Sequence, residues 1–422
     1  MPRSVIVIGS GVAGTAAAWG ARGRGSKVVL VSAGAGASAF AGGAVDDVPW
    51  EQRTRAAHAL GLEAHATAAK LPGALLEFVG ALGVWDVPAA RGCYLATMAG
   101  RVRPARGRDR ALLDLEALGR GGRVLLPRVS RPGWDADALA RALGDDPFAK
   151  ALKLQFEAVD APVLRFDEER RVTDADLAAR HDDPARLAWL GESLRSAVAE
   201  GTGVAAVLLG PWLGLGLGRA DKLAALVGLP VGEALIGAGS PAGLRFEVAR
   251  DALFKAGGIE VISRRVRAVG VAGGDASGGT ARFAVSLEEK DASLRADAVV
   301  LATGGVSGGG VIYTPAEHGA GADLPSGGRV PFALSLTAPV RLGDGRGALE
   351  ATSSLFGPAL DTVAWPTGSR QSLLEAVGVQ CTGIRAAHGL FAAGDAIAAR
   401  PRTVLEAAAT GWHAGVEAAS TG

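Results

Sequence analysis

A chain of 422 residues, 49% hydrophobic and 21% charged, is long enough for two domains and a large buried core. Its net charge of +1 supplies no overall field that would draw nucleic acid or an acidic membrane. The two cysteines, Cys93 and Cys381, form no Cys-x-x-Cys or Cys/His cluster, which excludes a disulfide framework and any zinc or iron–sulfur motif and fits a reducing, cytoplasmic setting.

Taken in chain order, residues 3–9 read as a strand, 12–22 as a helix and 27–32 as a second strand, a βαβ start. The opening apolar run breaks at once into glycines, so it reads as this strand and not as a secretory signal. Between strand and helix stands Gly9-x-Gly11-x-x-Gly14: one glycine for a tight turn, one for close approach of backbone to phosphate, one for helix–strand packing. The second strand should end in an acid that grips a ribose. It ends in Ser32, and no Asp or Glu precedes Asp46. Arg3, Arg22, Arg24 and Lys27 in this acid-free stretch suit either a phosphate-facing region or a solvated surface.

Residues 38–48 form a glycine-bearing loop, and 51–85 carry helical patterns broken at Pro72-Gly73. Residues 92–105 predict a hairpin turning at Ala99-Gly100; 122–130 and 203–211 predict buried strands. The 182–201 helix has Asp183 to cap it, Pro184 in its first turn and Gly201 beyond its end. Residues 201–218 are uncharged and as long as a short membrane span, but Pro211 and the glycines make them a buried strand, 204–209, followed by a glycine-rich loop. From 239 a capped helix runs to Gly257-Gly258 and into a strand. Residues 282–289 alternate as a strand, 296–305 are a buried strand running into glycines, and 310–370 are Pro- and Gly-rich irregular strands. A strand at 389–395 and a helix over 403–420 end the chain.

Three motifs carry chemistry together. The glycine turn opens the chain, Ala302-Thr303-Gly304-Gly305 ends a strand three-quarters along, and Gly394-Asp395 ends the last strand before a helix. A carboxylate matches ribityl hydroxyl donors, and a helix N-terminus stabilises negative charge on a reduced flavin. In this order they predict an α/β, Rossmann-like two-dinucleotide-fold flavoprotein with an inserted second α/β domain. The parts are 1–89, 239–309 and 371–422 for the flavin-binding domain, 90–238 for the insert and 310–370 for an irregular strand-rich segment. The expected cofactor contacts are Gly9, Gly11, Val12, Ala13, Gly14, Ser32, Ala33, Gly42, Gly43, Thr303, Gly304, Gly394, Asp395 and Thr403. No catalytic residue is fixed. Arg101, Arg103, Arg245, Arg341 and Arg402 could meet a phosphate or carboxylate, and His318 or His413 could move a proton, each against a structural or surface reading. Arg245 and Arg402 stand nearest the flavin motifs, while Trp412 and His413 lie on a helix whose apolar positions read as core.

The sequence resembles the B-type subunit of the anaerobic glycerol-3-phosphate dehydrogenase, within the fumarate reductase and succinate dehydrogenase flavoprotein group. "SAFAGGAVDDV", "GCYLATMAGRVRPA", "AARHDDPARLAWLGESL", "GSPAGLRFEVARDALFKAGG", "VVLATGGVSGGGVI" and "GLFAAGDAI" carry the resemblance over most of the chain. That family is associated with FMN, which has no adenosine ribose and needs no acid. The wider class favours FAD, with the ribose held by Ser32, the 33–36 backbone or water. FAD is the expectation and FMN the alternative. Members of the wider group often attach flavin to a His after the second strand, but no His occurs from 32 to 50, so the flavin should be non-covalent. The family's last glycine cluster is replaced by "RPRTVLEAAATG". The resemblance implies oxidation of glycerol 3-phosphate to dihydroxyacetone phosphate, or relay of its electrons, within a multi-subunit dehydrogenase. The implied partners are an iron–sulfur subunit and a small phosphorylated or carboxylate substrate, with no nucleic acid and the membrane reached only through a partner. The alternatives are another fumarate reductase or ketosteroid-type flavin dehydrogenase, or a non-catalytic scaffold with a degenerate flavin site.

Overall fold

The computed structural model describes residues 2–48, 71–89, 91–272, 282–288, 292–305, 307–310, 378–379, 381–398 and 400–420, with the backbone of five short strands between 312 and 342. The chain opens with β1 (Ser4–Ile8), α1 (Val12–Gly23) and β2 (Lys27–Ser32), then β3 (Ala44–Val45), α2 (Gly73–Leu82) and β4 (Trp85–Asp86). The hairpin β5 (Cys93–Ala96) and β6 (Val102–Ala105) precedes β7 (Gly107–Asp109), β8 (Arg123–Pro127), α3 (Ala136–Asp145), α4 (Pro147–Ala151) and β9 (Gln155–Val159). Next come α5 (Asp174–Arg180), α6 (Pro184–Glu200), β10 (Val204–Leu209), α7 (Arg219–Val227), β11 (Val231–Glu233) and α8 (Pro241–Gly257). β12 (Glu260–Ser263), β13 (Val266–Val271), β14 (Phe283–Leu287), β15 (Ser293–Ala296) and β16 (Ala298–Leu301) follow. The short strands are β17 (Ile312–Pro315), β18 (Ala322–Asp323), β19 (Arg329–Val330), β20 (Leu334–Thr337) and β21 (Arg341–Leu342). β22 (Arg385–Ala387), β23 (Leu390–Ala392) and α9 (Val404–Ser420) complete the order.

Two compact units result: residues 1–38 with 254–422, and residues 39–253. In the first, a six-stranded sheet has the order β12-β2-β1-β16-β23-β22, parallel except for the edge pair β23 and β22. Its central strands read VIVI and AVVL because both faces are covered, as parallel sheets require. This is the Rossmann-like α/β architecture expected. α1 packs against α9 at backbone distance. A Cβ on Gly411 would lie 2.1 Å from the Ala13 carbonyl oxygen, and one on Gly415 2.0 Å from that of Ala17. The register 13 to 411 and 17 to 415 makes the two helices run the same way. The antiparallel β13, β14 and β15 form a smaller sheet with β21, which pairs in parallel with β13. Of the 310–370 segment only the short strands are described; β17 pairs with β20 and β18 with β19.

The second unit is built on a parallel sheet of order β11-β10-β8-β9, over a core that includes Trp212, Leu125, Leu126 and Leu143. The hairpin forms as read, with Gly100 in the left-handed region. α6 starts where expected, with the Asp183 carboxylate accepting from Arg186 N and Pro184 in the first turn. The uncharged 201–218 stretch is β10 followed by a glycine loop. The loop is tied down by Asp182, whose carboxylate accepts from the amides of Leu215 and Gly216 and from Arg219 Nε. Among the described residues no helix is long and apolar enough to cross a membrane.

The units divide at 38/39 and 253/254, where the sequence pattern placed the divisions at 89/90 and 238/239. β3 and β4 join the second unit because they flank β7 in one small sheet. The start of α8 joins it because Arg245 is bonded to Asp109 and Glu233, and Phe246 stacks on Trp85. Only the end of α8, with Phe254 buried, belongs to the nucleotide unit.

His181 gives the second unit a pH dependence. It is fully buried, and its Nδ1–H donates to the Trp212 carbonyl at 2.6 Å. Nε2 is then bare, buried and without a hydrogen-bond partner. Burial holds the imidazole below its usual value of 6.5, with Arg186 adding to the effect while the Trp212 carbonyl, Glu169 and Asp182 oppose it. As pH falls below 6.5 the unfolded chain takes up a proton that the folded chain refuses, so stability falls with pH. Chemical unfolding between pH 7 and pH 5 should show this loss, and His181→Gln should flatten the slope. An unchanged slope in the variant assigns the dependence to other groups.

Candidate functional site

The site is built at the carboxyl ends of β1, β16 and β23, where an open α/β sheet receives its ligands. Gly9 closes the turn after β1 with φ +109° and its N–H on the Val31 carbonyl. A Cβ there would stand 2.1 Å from the Ala302 oxygen, and one on Gly14 would stand 1.9 Å from the Gly9 oxygen. Turn, helix and β16 therefore meet backbone to backbone, which only glycine allows. At the start of α1 the N-cap is Gly11, with no side chain, and the first turn holds no acid. Val12 N–H is taken by Ser38 Oγ at 3.1 Å, and Thr15 N–H by the Gly11 carbonyl. The N-cap offers Ala13 and Gly14 no side-chain acceptor, which suits a helix start that receives a phosphate.

Around this turn, glycines of neighbouring loops approach one another. Gly36 approaches Gly11, a Cβ on it lying 3.8 Å from Gly11 Cα. Gly308 similarly borders Ala37 N at 3.7 Å and Gly304 Cα at 3.3 Å. On the far side, a Cβ on Gly305 would lie 2.6 Å from Arg402 Nη1 and 3.2 Å from Asp395 Cβ. Gly394, φ +62°, abuts Ala13 and donates its N–H to Thr410 Oγ1 at 2.9 Å. Burial pushes the half-buried Asp395 carboxyl up, and the Arg402 charge pulls it back. α9 starts seven residues before its contact with Ala13, six beyond the start of α1, which carries its N-terminus about 9 Å past that start at 1.5 Å per residue. The two helix N-termini thus point the same way, that of α9 lying farther along. The open helix start, the close glycine backbones and a carboxylate suited to hydroxyl donors fit a flavin dinucleotide.

Gly9, Gly11, Val12, Ala13, Gly14, Ser32, Ala33, Thr303, Gly304, Gly394, Asp395 and Thr403 all fall in the first unit, as does Arg402. Thr403 serves α9 as its cap, its Oγ1 accepting from Glu406 N–H. Gly42 and Gly43 fall in the second unit, where packing explains them: a Cβ on Gly42 would meet the Ile236 oxygen at 2.1 Å, and one on Gly43 would meet Asp109 Cβ at 3.0 Å. Arg245 is corrected from a substrate candidate to a buried structural cation. Its Nε donates to both Asp109 oxygens, Nη1 to the Gly214 carbonyl and Nη2 to Glu233, so each of its three nitrogens is engaged. Arg101 is exposed, and Arg103 pairs with Asp46, both in the second unit. Arg341 lies in β21, and His318 lies outside the described residues. His413 is exposed and edge-on to Trp412, whose backbone borders Gly20. Arg22, Arg24 and Lys27 stand at the amino end of β2, the edge opposite the glycine turn, and Arg22 Nε donates to the Gly257 carbonyl. They do not meet phosphate there.

Sequence reasoning missed Gly411 and Gly415, whose four-residue spacing on a helix is the signal for close packing, and Thr410, which orders Gly394. Among the described residues no group of three His, Cys, Asp or Glu could hold a metal ion.

Residues 4–74 match the family model of the FAD binding domain. No curated protein matches the chain. Among solved structures, 3-ketosteroid delta1-dehydrogenase from Sterolibacterium denitrificans matches at 16% identity and TM-score 0.28, over 72% of this chain and 48% of that one. The aromatic hydroxylase CabE of angucycline biosynthesis matches at 12% identity and TM-score 0.33, over 100% of this chain and 62% of that one. OxyS anhydrotetracycline hydroxylase from Streptomyces rimosus matches at 10% identity and TM-score 0.31, over 100% and 62%. The chain therefore spans about half to six tenths of the length of these three structures. The 4–74 match supports FAD as the nucleotide of the glycine turn.

Proposed function

We propose that this protein is an FAD-dependent oxidoreductase acting on a small anionic substrate, with glycerol 3-phosphate the specific candidate. The observation that carries the reading is the closeness of both Arg402 and Asp395 to Gly305, in the loop after β16. When bound, FAD supplies a two-electron acceptor for hydride from a substrate carbon. Asp395 would accept hydrogen bonds from the ribityl hydroxyls, the N-terminus of α9 would favour negative charge at the ring, and Arg402 would orient a phosphate or carboxylate. The glycerol 3-phosphate reading rests on the sequence resemblance. So does the electron acceptor, an iron–sulfur partner subunit, for which this chain's two separated cysteines give no substitute.

The purified protein should be yellow, and acid should release its flavin as FAD, with none left on the polypeptide. Glycerol 3-phosphate added without oxygen should bleach the visible flavin band, and succinate should not. Arg402→Gln should keep its FAD and need roughly tenfold or more substrate, the loss of one charge-assisted contact of about 1.5–3 kcal/mol. Full flavin with no bleaching by glycerol 3-phosphate overturns the substrate while leaving the flavoprotein standing. A colourless protein that takes up no added FAD overturns both.

A further inference from the structure

The second strand of a dinucleotide unit ends in an acid that hydrogen-bonds the ribose. Here that position is Ser32, one residue beyond Val31, whose carbonyl holds the Gly9 N–H. No acid lies within residues 1–38. In its place stands an ordered pair of hydroxyls. Ser32 Oγ lies 2.7 Å from Ser10 Oγ, and it donates to the Gly34 carbonyl at 3.2 Å. Ser32 has one proton; with that proton on Gly34, Ser10 is the donor of the shorter bond. That order leaves Ser32 Oγ with an unused lone pair, an acceptor for a hydroxyl donor. Ser10 is buried at 7% exposure while Ser32 is half-buried, so the inner hydroxyl is fixed and the outer one is reachable. Beyond them Gly34 is open, with nothing within 4 Å of a Cβ built on it.

We propose that Ser32, oriented by Ser10, reads the adenosine ribose of FAD through a neutral hydrogen bond in place of the usual carboxylate. The inference rests on the FAD reading above. Its consequence is weak discrimination: the adenosine half adds little charge-assisted affinity, so FAD exchanges readily and exceeds FMN by only a modest factor. A neutral acceptor also makes that preference insensitive to salt.

The test uses the apoprotein of the full chain, titrated with FAD and separately with FMN, following flavin fluorescence. Ser32→Ala should weaken FAD about threefold to tenfold, the range of one neutral hydrogen bond, and leave FMN unchanged. Ser10→Ala should do the same to a smaller degree, by releasing the orientation of Ser32. Ser32→Glu should tighten FAD several-fold over the natural protein, again with FMN unchanged, because a charged acceptor is the stronger. Equal weakening of FAD and FMN by Ser32→Ala overturns the proposal, because the hydroxyl would then serve the loop and not the ribose. Unchanged FAD affinity in both Ser32→Ala and Ser32→Glu overturns it too. If the natural apoprotein binds neither nucleotide, the flavin reading itself falls, a result distinct from both.

Discussion

Gly14→Val should yield protein without FAD. A Cβ at this position stands 1.9 Å from the Gly9 oxygen and 2.8 Å from its carbon, and backbone atoms cannot swing aside as a side chain can. The turn must open, yet Gly9 is itself wedged against Ala302, with its N–H on Val31. Opening therefore displaces α1 from both β1 and β16 and turns away the helix-start amides that receive the phosphate. Overpacking of this kind typically costs 1–3 kcal/mol, and the rigid backbone on both sides puts this site at the upper end or beyond. The ratio of flavin to protein absorbance in purified material should fall close to zero, and unfolding should shift to lower denaturant. Gly23→Ala is the matched control. It lies on the same helix with nothing within 4 Å of its Cβ, and alanine raises helix propensity by roughly 0.5–1 kcal/mol. That variant should keep its flavin. Full FAD occupancy in Gly14→Val would place the nucleotide elsewhere.

The parts legible in the sequence were those set by neighbours along the chain. The glycine turn, the caps of α6, the hairpin at 93–105 and the strand inside the uncharged 201–218 stretch all depend on residues a few positions apart. Features set by distant partners were not legible. Arg245 finds Asp109 across a separation of 136 residues, so a count of arginines near flavin motifs could not tell a buried ion pair from a substrate contact. The same limit moved the unit boundary, because β3 and β4 meet only through β7. The basic residues 22–27 were ambiguous because charge says nothing about which edge of a sheet a loop occupies. Gly411 and Gly415 were written in the sequence at helical spacing, but with 62 glycines in the chain such a pair does not stand out.

Arg245→Met should be the most destabilising change in the second unit and should leave flavin chemistry alone. The guanidinium lies between two buried carboxylates, at 3.1 Å from Asp109 and 2.6 Å from Glu233, with all three side chains 3% exposed or less. Burial works against its charge, and the two acids outweigh burial, so Arg245 stays protonated. Two acids share one cation, and burial with the nearby Asp109 pushes the Glu233 carboxyl up. Removing the cation leaves both carboxylates buried without it, and breaking a buried pair this way costs about 3–5 kcal/mol. The pH dependence gives the cause away. In the variant the acids bind protons more tightly folded than unfolded, so its stability falls as pH rises and is best in mild acid. That is the opposite of the trend His181 imposes on the natural protein. Adding Asp109→Asn to Arg245→Met should recover part of the loss, since one unpaired charge is then gone. Unfolding at pH 5 and pH 7, with flavin content and substrate bleaching measured on the folded fraction, separates the two roles. Normal stability with lost bleaching would return Arg245 to the substrate; lost stability with normal bleaching in the folded fraction makes it a strut that fixes the start of α8 to β7 and β11.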